Sequence, residues 1–390
     1  MIYLAIAVGL LVLLVAGLWV SKAMARREVP APAAPPARQQ PATPGPAPSA
    51  GLAELPPAAP RRPAARAPAR ELPEVLKTLR LTQLAELAPS QVEALAVRLQ
   101  TIPRPPHALD KLVSAQFLAS ASSSDLNDLM VGEPQIAAKV LASVNSPLYG
   151  LQKPLGSIGQ AAVYLGMNGV RGICMQYMLD GCFKPTSPEV KACFERVWSA
   201  SALSSALCFK LAQLLKLPDP GGMVTQIVLS YLGLQASYAL LDNDTVLRFS
   251  RMDTIERALA EQDALGLCAA EIGTLLLQTW KLPPGLIADV RDIDRVLLQP
   301  PGTATDERQA RLGLCYLCNR IAAMMVSGAL TDLRQFDVNQ MQGPELYYLA
   351  AYLHHFRLER LPEFLHFPEV LAAVDQMSSA SRWSRPAGAS

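Results

Sequence analysis

The sequence has little histidine and almost no net charge. Four histidines occur in 390 residues, and 35 Lys and Arg nearly balance 33 Asp and Glu, which leaves a formal net charge of +2. A chain so close to neutrality has no overall field that attracts nucleic acid, so we expect no nucleic-acid partner. A Gly-rich phosphate loop, a nucleophile elbow and a strand-like alternation of period two are also missing. These absences argue against two common kinds of hydrolase site and against a β fold.

Seven cysteines are present, at positions 174, 182, 193, 208, 268, 315 and 318. Their odd number, wide scatter and mostly apolar helical surroundings predict reduced thiols in a cytosolic domain. Cys315 and Cys318 have a metal-like spacing, but no second Cys or His pair follows at zinc spacing. A buried thiol pair is therefore the preferred interpretation.

An apolar run without charged side chains extends from Ile2 to Val20 and predicts a single transmembrane helix. Lys22, Arg26 and Arg27 follow at once, so the positive-inside rule places the N-terminus outside and the C-terminal domain in the cytoplasm, at the inner membrane. A cleaved signal peptide is the competing interpretation. It is disfavoured because no basic segment precedes the run and a thiol-rich domain does not suit export.

Residues 22–73 form a linker rich in proline and alanine, with 14 Pro and 14 Ala between Val29 and Pro73. Neither helices nor strands tolerate that density of proline, which predicts a disordered, semi-rigid tether. At about 3.1 Å per residue, its proline-rich part reaches at most roughly 140 Å. A domain on such a tether can meet partners far from the membrane.

Amphipathic helical patterns dominate after Pro73 and predict an all-α fold. We expect helices over 74–88, over 90–100 with Ser90 as a cap, and over 106–119. Further helices are expected to start at Ser124, Pro134, Ser187 and Asp253, and to cover 305–327 and 344–358. The predicted segments are a transmembrane helix (1–21), a linker (22–73), a helical extension (74–100), a two-lobed domain (101–300), C-terminal helices (301–378) and a flexible tail (379–390).

A group of short motifs lies between Ile102 and Arg171. They are Glu133-Pro134, Val144-Asn145-Ser146-Pro147-Leu148-Tyr149-Gly150, Ser157-Ile158 and Ala161-Ala162-Val163-Tyr164-Leu165-Gly166. Together they resemble the first half of an HDOD domain, a bacterial signalling module. The motif residues that this resemblance marks are Pro134, Asn145, Ser146, Tyr149, Gly150, Ser157, Ala161 and Gly166.

Structural capping is the simplest physical account of these motifs. Asn145 and Ser146 can bond backbone groups freed where Pro147 ends a helix, and Gly166 can stop the next short helix. Tyr149 is the one candidate for a ligand or partner contact.

Residues 190–300 resemble the HD-like second lobe of the same family, which is related to metal-dependent phosphohydrolases. The resemblance implies a His/Asp cluster that holds metal ions. Here no histidine falls between residues 108 and 353, and the aligned positions hold Ala200, Ser230, Tyr231 and Ala269. Neither alanine nor tyrosine replaces imidazole and carboxylate around a divalent cation. We therefore predict a degenerate, non-enzymatic lobe with no catalytic residue, metal or cofactor.

The resemblance implies a membrane-anchored regulator or scaffold that contacts other signalling proteins. The alternative is a sensor that binds a nucleotide second messenger without hydrolysing it. Phosphate recognition requires converging Arg or Lys, and the candidates Lys139, Lys153 and Arg171 are spread over separate elements. Ala5 and Gly9 form one small-xxx-small pair, which makes a second copy of the chain a further candidate partner.

Overall fold

The polypeptide folds into a series of α-helices joined by short turns. The structure, a computed structural model, describes residues 71–145, 151, 153–302 and 306–382. Those ranges contain α-helices and short 3-10 turns and no β-strand, so the all-α prediction is confirmed for them. The helices of the first part are α1 (Glu74–Thr78), α2 (Pro89–Leu99), α3 (Ala108–Leu112), α4 (Ala115–Ser120), α5 (Ser123–Val131), α6 (Pro134–Val144), α7 (Ile158–Leu165) and α8 (Met167–Asp180).

A second series of helices follows and ends the described chain. Its members are α9 (Pro188–Leu214), α10 (Pro220–Ser230), α11 (Leu232–Leu240), α12 (Asn243–Phe249), α13 (Thr254–Leu265), α14 (Ala269–Thr279), α15 (Pro284–Arg295), α16 (Asp306–Ser327), α17 (Leu349–Leu353), α18 (Leu361–Phe364) and α19 (Pro368–Arg382). The 3-10 turns are Leu84–Glu86, Leu333–Gln335, Val338–Gln340, Pro344–Leu346 and Phe356–Leu358.

Buried apolar side chains form two cores. The first core collects side chains from α2 to α8 and from α11, α12 and α14. The second core joins α10 to α16 and to the short C-terminal helices. Helix α9 contributes to both, with Val190 and Phe194 in the first core and Leu207 and Leu211 in the second. This helix therefore ties the two cores together.

Several predicted helix starts are correct because local side chains define them. Pro134 occupies the first turn of α6, which ends at Val144 with Asn145 as its C-terminal cap. The Ser187 hydroxyl accepts the Val190 N–H at the start of α9, and the Asp253 carboxylate accepts the Glu256 N–H at the start of α13. A local hydrogen bond of this kind can be read from sequence.

The predicted helix over 74–88 is wrong. Only Glu74–Thr78 and the 3-10 turn Leu84–Glu86 are helical there, and residues 79–83 are irregular. The backbone N–H of Thr82 donates to the Gln262 side chain and that of Leu84 donates to Glu271, at 2.5 and 2.9 Å. Tertiary hydrogen bonds thus replace helical ones in this segment, and a local sequence pattern cannot predict such long-range bonds.

Other boundaries also differ from the sequence prediction. Helix α2 is preceded by Ala88, with Pro89 in its first turn, so Ser90 is not its cap. The segment 106–119 is two helices, because the Ser114 hydroxyl accepts the Phe117 N–H and begins a new one. Ser122, not Ser124, caps α5, since its hydroxyl accepts the Asp125 N–H at 3.2 Å.

The expected C-terminal helices are confirmed in part. Helix α16 matches the predicted 305–327, whereas 344–358 is two 3-10 turns and the short helix α17. The predicted membrane helix Ile2 to Val20, the Ala5–Gly9 pair and the linker up to residue 70 lie outside the described residues. Among the residues that are described, no helix is long and apolar enough to cross a membrane.

Candidate functional site

The motif residue Asn145 closes the loop that follows α6. Its amide oxygen accepts the Leu155 N–H at 2.7 Å, and its amide nitrogen donates to the Leu155 carbonyl at 2.9 Å. The prediction that Asn145 bonds the freed end of its own helix is wrong, because both bonds go ten residues ahead. The side chain instead pairs with the backbone as a neighbouring strand would, and holds the start of α7 against the end of α6.

The other motif residues that the structure describes have structural roles. Ser157 caps α7 by accepting the Gln160 N–H at 3.1 Å, and Ala161 is completely buried. Gly166 has a φ of +84°, a conformation that separates α7 from α8 and that glycine adopts without strain. Ser146, Tyr149 and Gly150 lie outside the described residues, so the proposed contact of Tyr149 stays a prediction.

Beside these residues, α5 and α7 border an open groove. Its lining is Ser123, Ser124, Asn127, Leu155, Ser157, Gly159, Gln160, Val163 and Tyr164. Val163 and Tyr164 are 77% and 60% exposed, unusual values for large apolar side chains. The face opposite the packed Ala161 side of α7 therefore presents apolar surface to solvent.

The aligned position Ser230 belongs to a polar network between helices. The Ser204 hydroxyl of α9 donates to the Asn319 amide oxygen at 2.6 Å, and the Asn319 amide nitrogen donates to the Ser230 hydroxyl at 3.2 Å. Ala200 lies one turn before Ser204 and is buried in the second core. These groups are satisfied by one another and hold α9, α10 and α16 together.

The aligned positions Tyr231 and Ala269 lie near a second, more enclosed cavity. Burial raises the pKa of the Tyr231 phenol, and among the groups that influence it are Arg320 and Asp294, which line this cavity. Ala269 lines the cavity itself, and its backbone N–H donates to Glu261 at 2.8 Å. Of the four degenerate positions, Ala269 lines this pocket, and Tyr231 lies within electrostatic range of two of its charged residues.

Four arginines line this cavity, which we call the arginine pocket. Arg257 comes from α13, Arg291 and Arg295 from α15, and Arg320 from α16. The cavity volume is about 160 Å³. No local sequence pattern groups these four arginines, although Arg320 interrupts an otherwise apolar stretch of α16 and so marks one of them.

Three carboxyl groups share the arginine pocket. Glu261 and Glu271 accept the backbone N–H groups of Ala269 and Leu84, at 2.8 and 2.9 Å. Burial raises the pKa of Glu261, and it raises that of Asp294 against the opposing influence of Arg320 and Arg257. Asp294 makes no ion pair within the described chain and lines the cavity together with the arginines.

The irregular segment Leu81–Gln83, which we call the strap, forms one wall of the arginine pocket. Gln83 accepts a hydrogen bond from Arg295 at 3.1 Å, and the Thr82 N–H donates to the Gln262 side chain. The segment between the predicted linker and the helical domain therefore contacts the pocket directly.

The phosphate-binding candidates named from sequence do not converge. Arg171 is 1% exposed and donates to the carbonyl groups of Leu112 and Gly221, at 2.9 and 2.5 Å. Burial lowers the pKa of its guanidinium to about 10. Lys139 and Lys153 are exposed, and the Lys139 ammonium lies 6.0 Å from the Tyr177 ring centre. Arg171 is thus a structural cation that joins α3 to α10.

Potential metal ligands are not grouped in the part of the chain that the structure describes. Across residues 71–145, 153–302 and 306–382, no three His, Cys, Asp or Glu side chains are placed to hold a metal ion. All seven cysteines are free and buried, including the predicted thiol pair Cys315 and Cys318. The hydrogen bond with Cys208 and, after it, burial raise the pKa of the Cys315 thiol, which favours the neutral form over a thiolate ligand.

The described residues define an all-helical fold with two cores, to both of which α9, α10 and α15 contribute. The chain belongs to the HDOD domain family, whose model matches residues 102–296, half of the sequence. No curated protein sequence matches the chain.

Solved structures similar to this chain come from several bacteria. An HDOD domain protein of unknown function from Geobacter sulfurreducens is 17% identical, with a TM-score of 0.51 over 74% of this chain and 98% of that one. A protein from Shewanella amazonensis SB2B with a provisional phosphohydrolase name is 21% identical, with a TM-score of 0.49 over 73% and 97%. The response regulator MmoQ from Methylococcus capsulatus is 16% identical, with a TM-score of 0.34 over 71% and 96%. The Geobacter protein shares the fold of this chain.

Proposed function

We propose that this HDOD protein is a non-enzymatic, membrane-anchored signal-transduction protein that acts by contacting other signalling proteins. The observation that carries the proposal is the use of the degenerate positions in packing. Ser230 bonds Asn319, the backbone of Ala269 bonds Glu261, and Ala200 is buried. Side chains that hold helices together are not available to activate water or to hold a metal ion.

Metal analysis and an activity assay test the non-enzymatic part of this proposal. We expect the purified full chain to contain no stoichiometric divalent metal and to leave cyclic nucleotides intact. Hydrolysis that disappears on chelation and returns with metal would contradict the proposal.

The exposed face of α7 supports action through protein contacts. Val163 and Tyr164 border the groove between α5 and α7, and burying such side chains in an interface contributes roughly 25 cal/mol per Å². Contact residues of this kind, close to the family motif, suit recognition by another protein better than catalysis.

Affinity capture from membranes with matched variants tests this surface. Val163→Lys adds a charge to the groove edge without disturbing a core and should remove most of the captured partner. Val97→Lys is the control, because Val97 of α2 is also exposed, at 58%, and lies outside the groove. Equal capture by both variants would argue against the groove.

A second candidate function is a sensor that binds a phosphorylated second messenger without hydrolysing it. The convergence of Arg257, Arg291, Arg295 and Arg320 on one cavity favours it. Arginine is well suited to phosphate because its planar guanidinium offers several donors in a fixed geometry.

A further inference from the structure

The arginine pocket has more hydrogen-bond donors than its own walls accept. The Nε atoms of Arg257, Arg291 and Arg320 are shielded from solvent and have no hydrogen-bond partner among the described residues. Arg257 Nε and Arg291 Nε form ion pairs with Glu261 Oε1 and Asp292 Oδ1 at 3.6 and 3.5 Å, beyond a normal hydrogen bond, and those two oxygens also have no hydrogen-bond partner. Arg320 Nε has no such carboxylate among the described residues. A buried donor without an acceptor loses its hydration without compensation, so these groups favour an incoming acceptor.

The charge of the pocket also favours an anion. Four guanidinium groups face three carboxyl groups, and two of those carboxyl groups already accept backbone N–H groups. Burial raises the pKa of Glu261 and Asp294, which reduces their opposing charge as pH falls. The residues that line the cavity therefore carry a cationic excess, which Asp292, outside the lining, reduces by pairing with Arg291 and Arg295 at 3.5 and 3.3 Å.

Volume limits what the pocket accepts. A cavity of about 150 Å³ can hold a benzene-sized molecule, and this pocket measures about 160 Å³. Pockets that bury a drug-sized ligand are about 300 to 1,000 Å³. A phosphate group with part of a sugar fits this space, whereas a whole cyclic dinucleotide does not.

Asp294 and the strap add polar groups beside the arginines. The Asp294 carboxyl group has no ion pair among the described residues and can accept a hydrogen bond from a phosphate or sugar hydroxyl. Gln83 and Gln299 are exposed and mark the opening of the cavity. A ligand that enters there meets the hydrogen bond between Arg295 and Gln83 first.

We propose that the arginine pocket binds a phosphate group of a small phosphorylated ligand, with the strap as its movable wall. This inference rests on the second candidate function and narrows its ligand to a phosphomonoester or inorganic phosphate. Arg257, Arg291 and Arg320 bind the phosphate oxygens. Arg295 gives up its hydrogen bond to Gln83 and binds the phosphate as well. Binding would then change how the strap contacts the folded domain.

Calorimetric titration of the full chain in detergent with inorganic phosphate, and with a nucleoside 5′-monophosphate, tests the site. Wild type should bind both, and Arg320→Gln should weaken binding by at least about tenfold because a charge-assisted contact is lost. Arg291→Gln should weaken binding in the same direction; it is a second variant in case the first fails to fold, since Arg291 makes fewer protein contacts. Thermal unfolding without ligand checks the fold of each variant.

Arg334→Gln is the matched control, because Arg334 is exposed and pairs with Asp332 and Asp375 outside the pocket. It should bind phosphate as wild type does. No binding by wild type, or equal affinity in the folded pocket variants and wild type, would overturn the site. Capture with Val163→Lys is measured separately, so failure of the pocket and failure of the interaction surface are distinguishable.

Discussion

At the scale of single residues, burial decides how the ionisable groups behave. Asp294 lies among apolar and arginine side chains, and desolvation raises the pKa of its carboxyl group more than Arg320 and Arg257 lower it. The folded protein therefore holds the proton more tightly than the unfolded chain does. The resulting contribution to stability is present below the ordinary carboxyl pKa and is lost as pH rises through the raised pKa.

Asp294→Asn should remove this pH dependence. We expect the free energy of unfolding of wild type to fall as pH rises from about 4 towards neutrality, and that of the variant to fall less. Urea denaturation at several pH values measures the difference. Asp263→Asn is the control, because Asp263 is an exposed residue of α13, and a similar loss of slope in that variant would contradict the prediction.

At the scale of elements, close packing of α11 against α14 places the wall of the arginine pocket. The two helices approach each other at Gly233 and Gly273, where a Cβ on Gly233 would overlap the Ala269 carbonyl oxygen. Ala269 both lines the pocket and bonds Glu261, so the crossing also fixes the position of that carboxyl group. Only glycine allows the helices to come this close.

Gly233→Ala should destabilise the protein by about 3 kcal/mol, because the overlap is with backbone and cannot be relieved by a rotamer change. Gly169→Ala is the opposite case, since nothing lies within 4 Å of a Cβ added to this residue of α8. That variant should be as stable as wild type or gain up to about 1 kcal/mol from the helix preference of alanine. Thermal and urea denaturation compare them, and equal effects would contradict the packing argument.

The same scale explains what sequence could predict. Starts of α6, α9 and α13 were predictable because Pro134, Ser187 and Asp253 act within a few residues of themselves. The strap and the residue after it could not be predicted, because their backbone hydrogen bonds go to Gln262 and Glu271, about 180 residues ahead. The degenerate positions were predictable by resemblance, but the arginine pocket was not, since three helices converge to form it.

At the scale of the whole molecule, the apolar run Ile2 to Val20 and the basic residues after it predict an anchored chain with a cytoplasmic domain. A reporter fused after Ser390 should be active in the cytoplasm and fractionate with membranes. Replacing Lys22, Arg26 and Arg27 with Gln should weaken this orientation, because these are the charges that retain the segment inside. A soluble, exported product would contradict the topology and support a cleaved signal peptide.

The long helix α9 has a consequence for how the protein unfolds. Its N-terminal half packs in the first core and its C-terminal half in the second, over a length of about 40 Å. Because α9 is one continuous helix, unfolding of either core would loosen α9 and expose apolar side chains of the other core as well. We therefore expect a single cooperative transition in calorimetry, so that a ligand in one core raises the melting temperature of both.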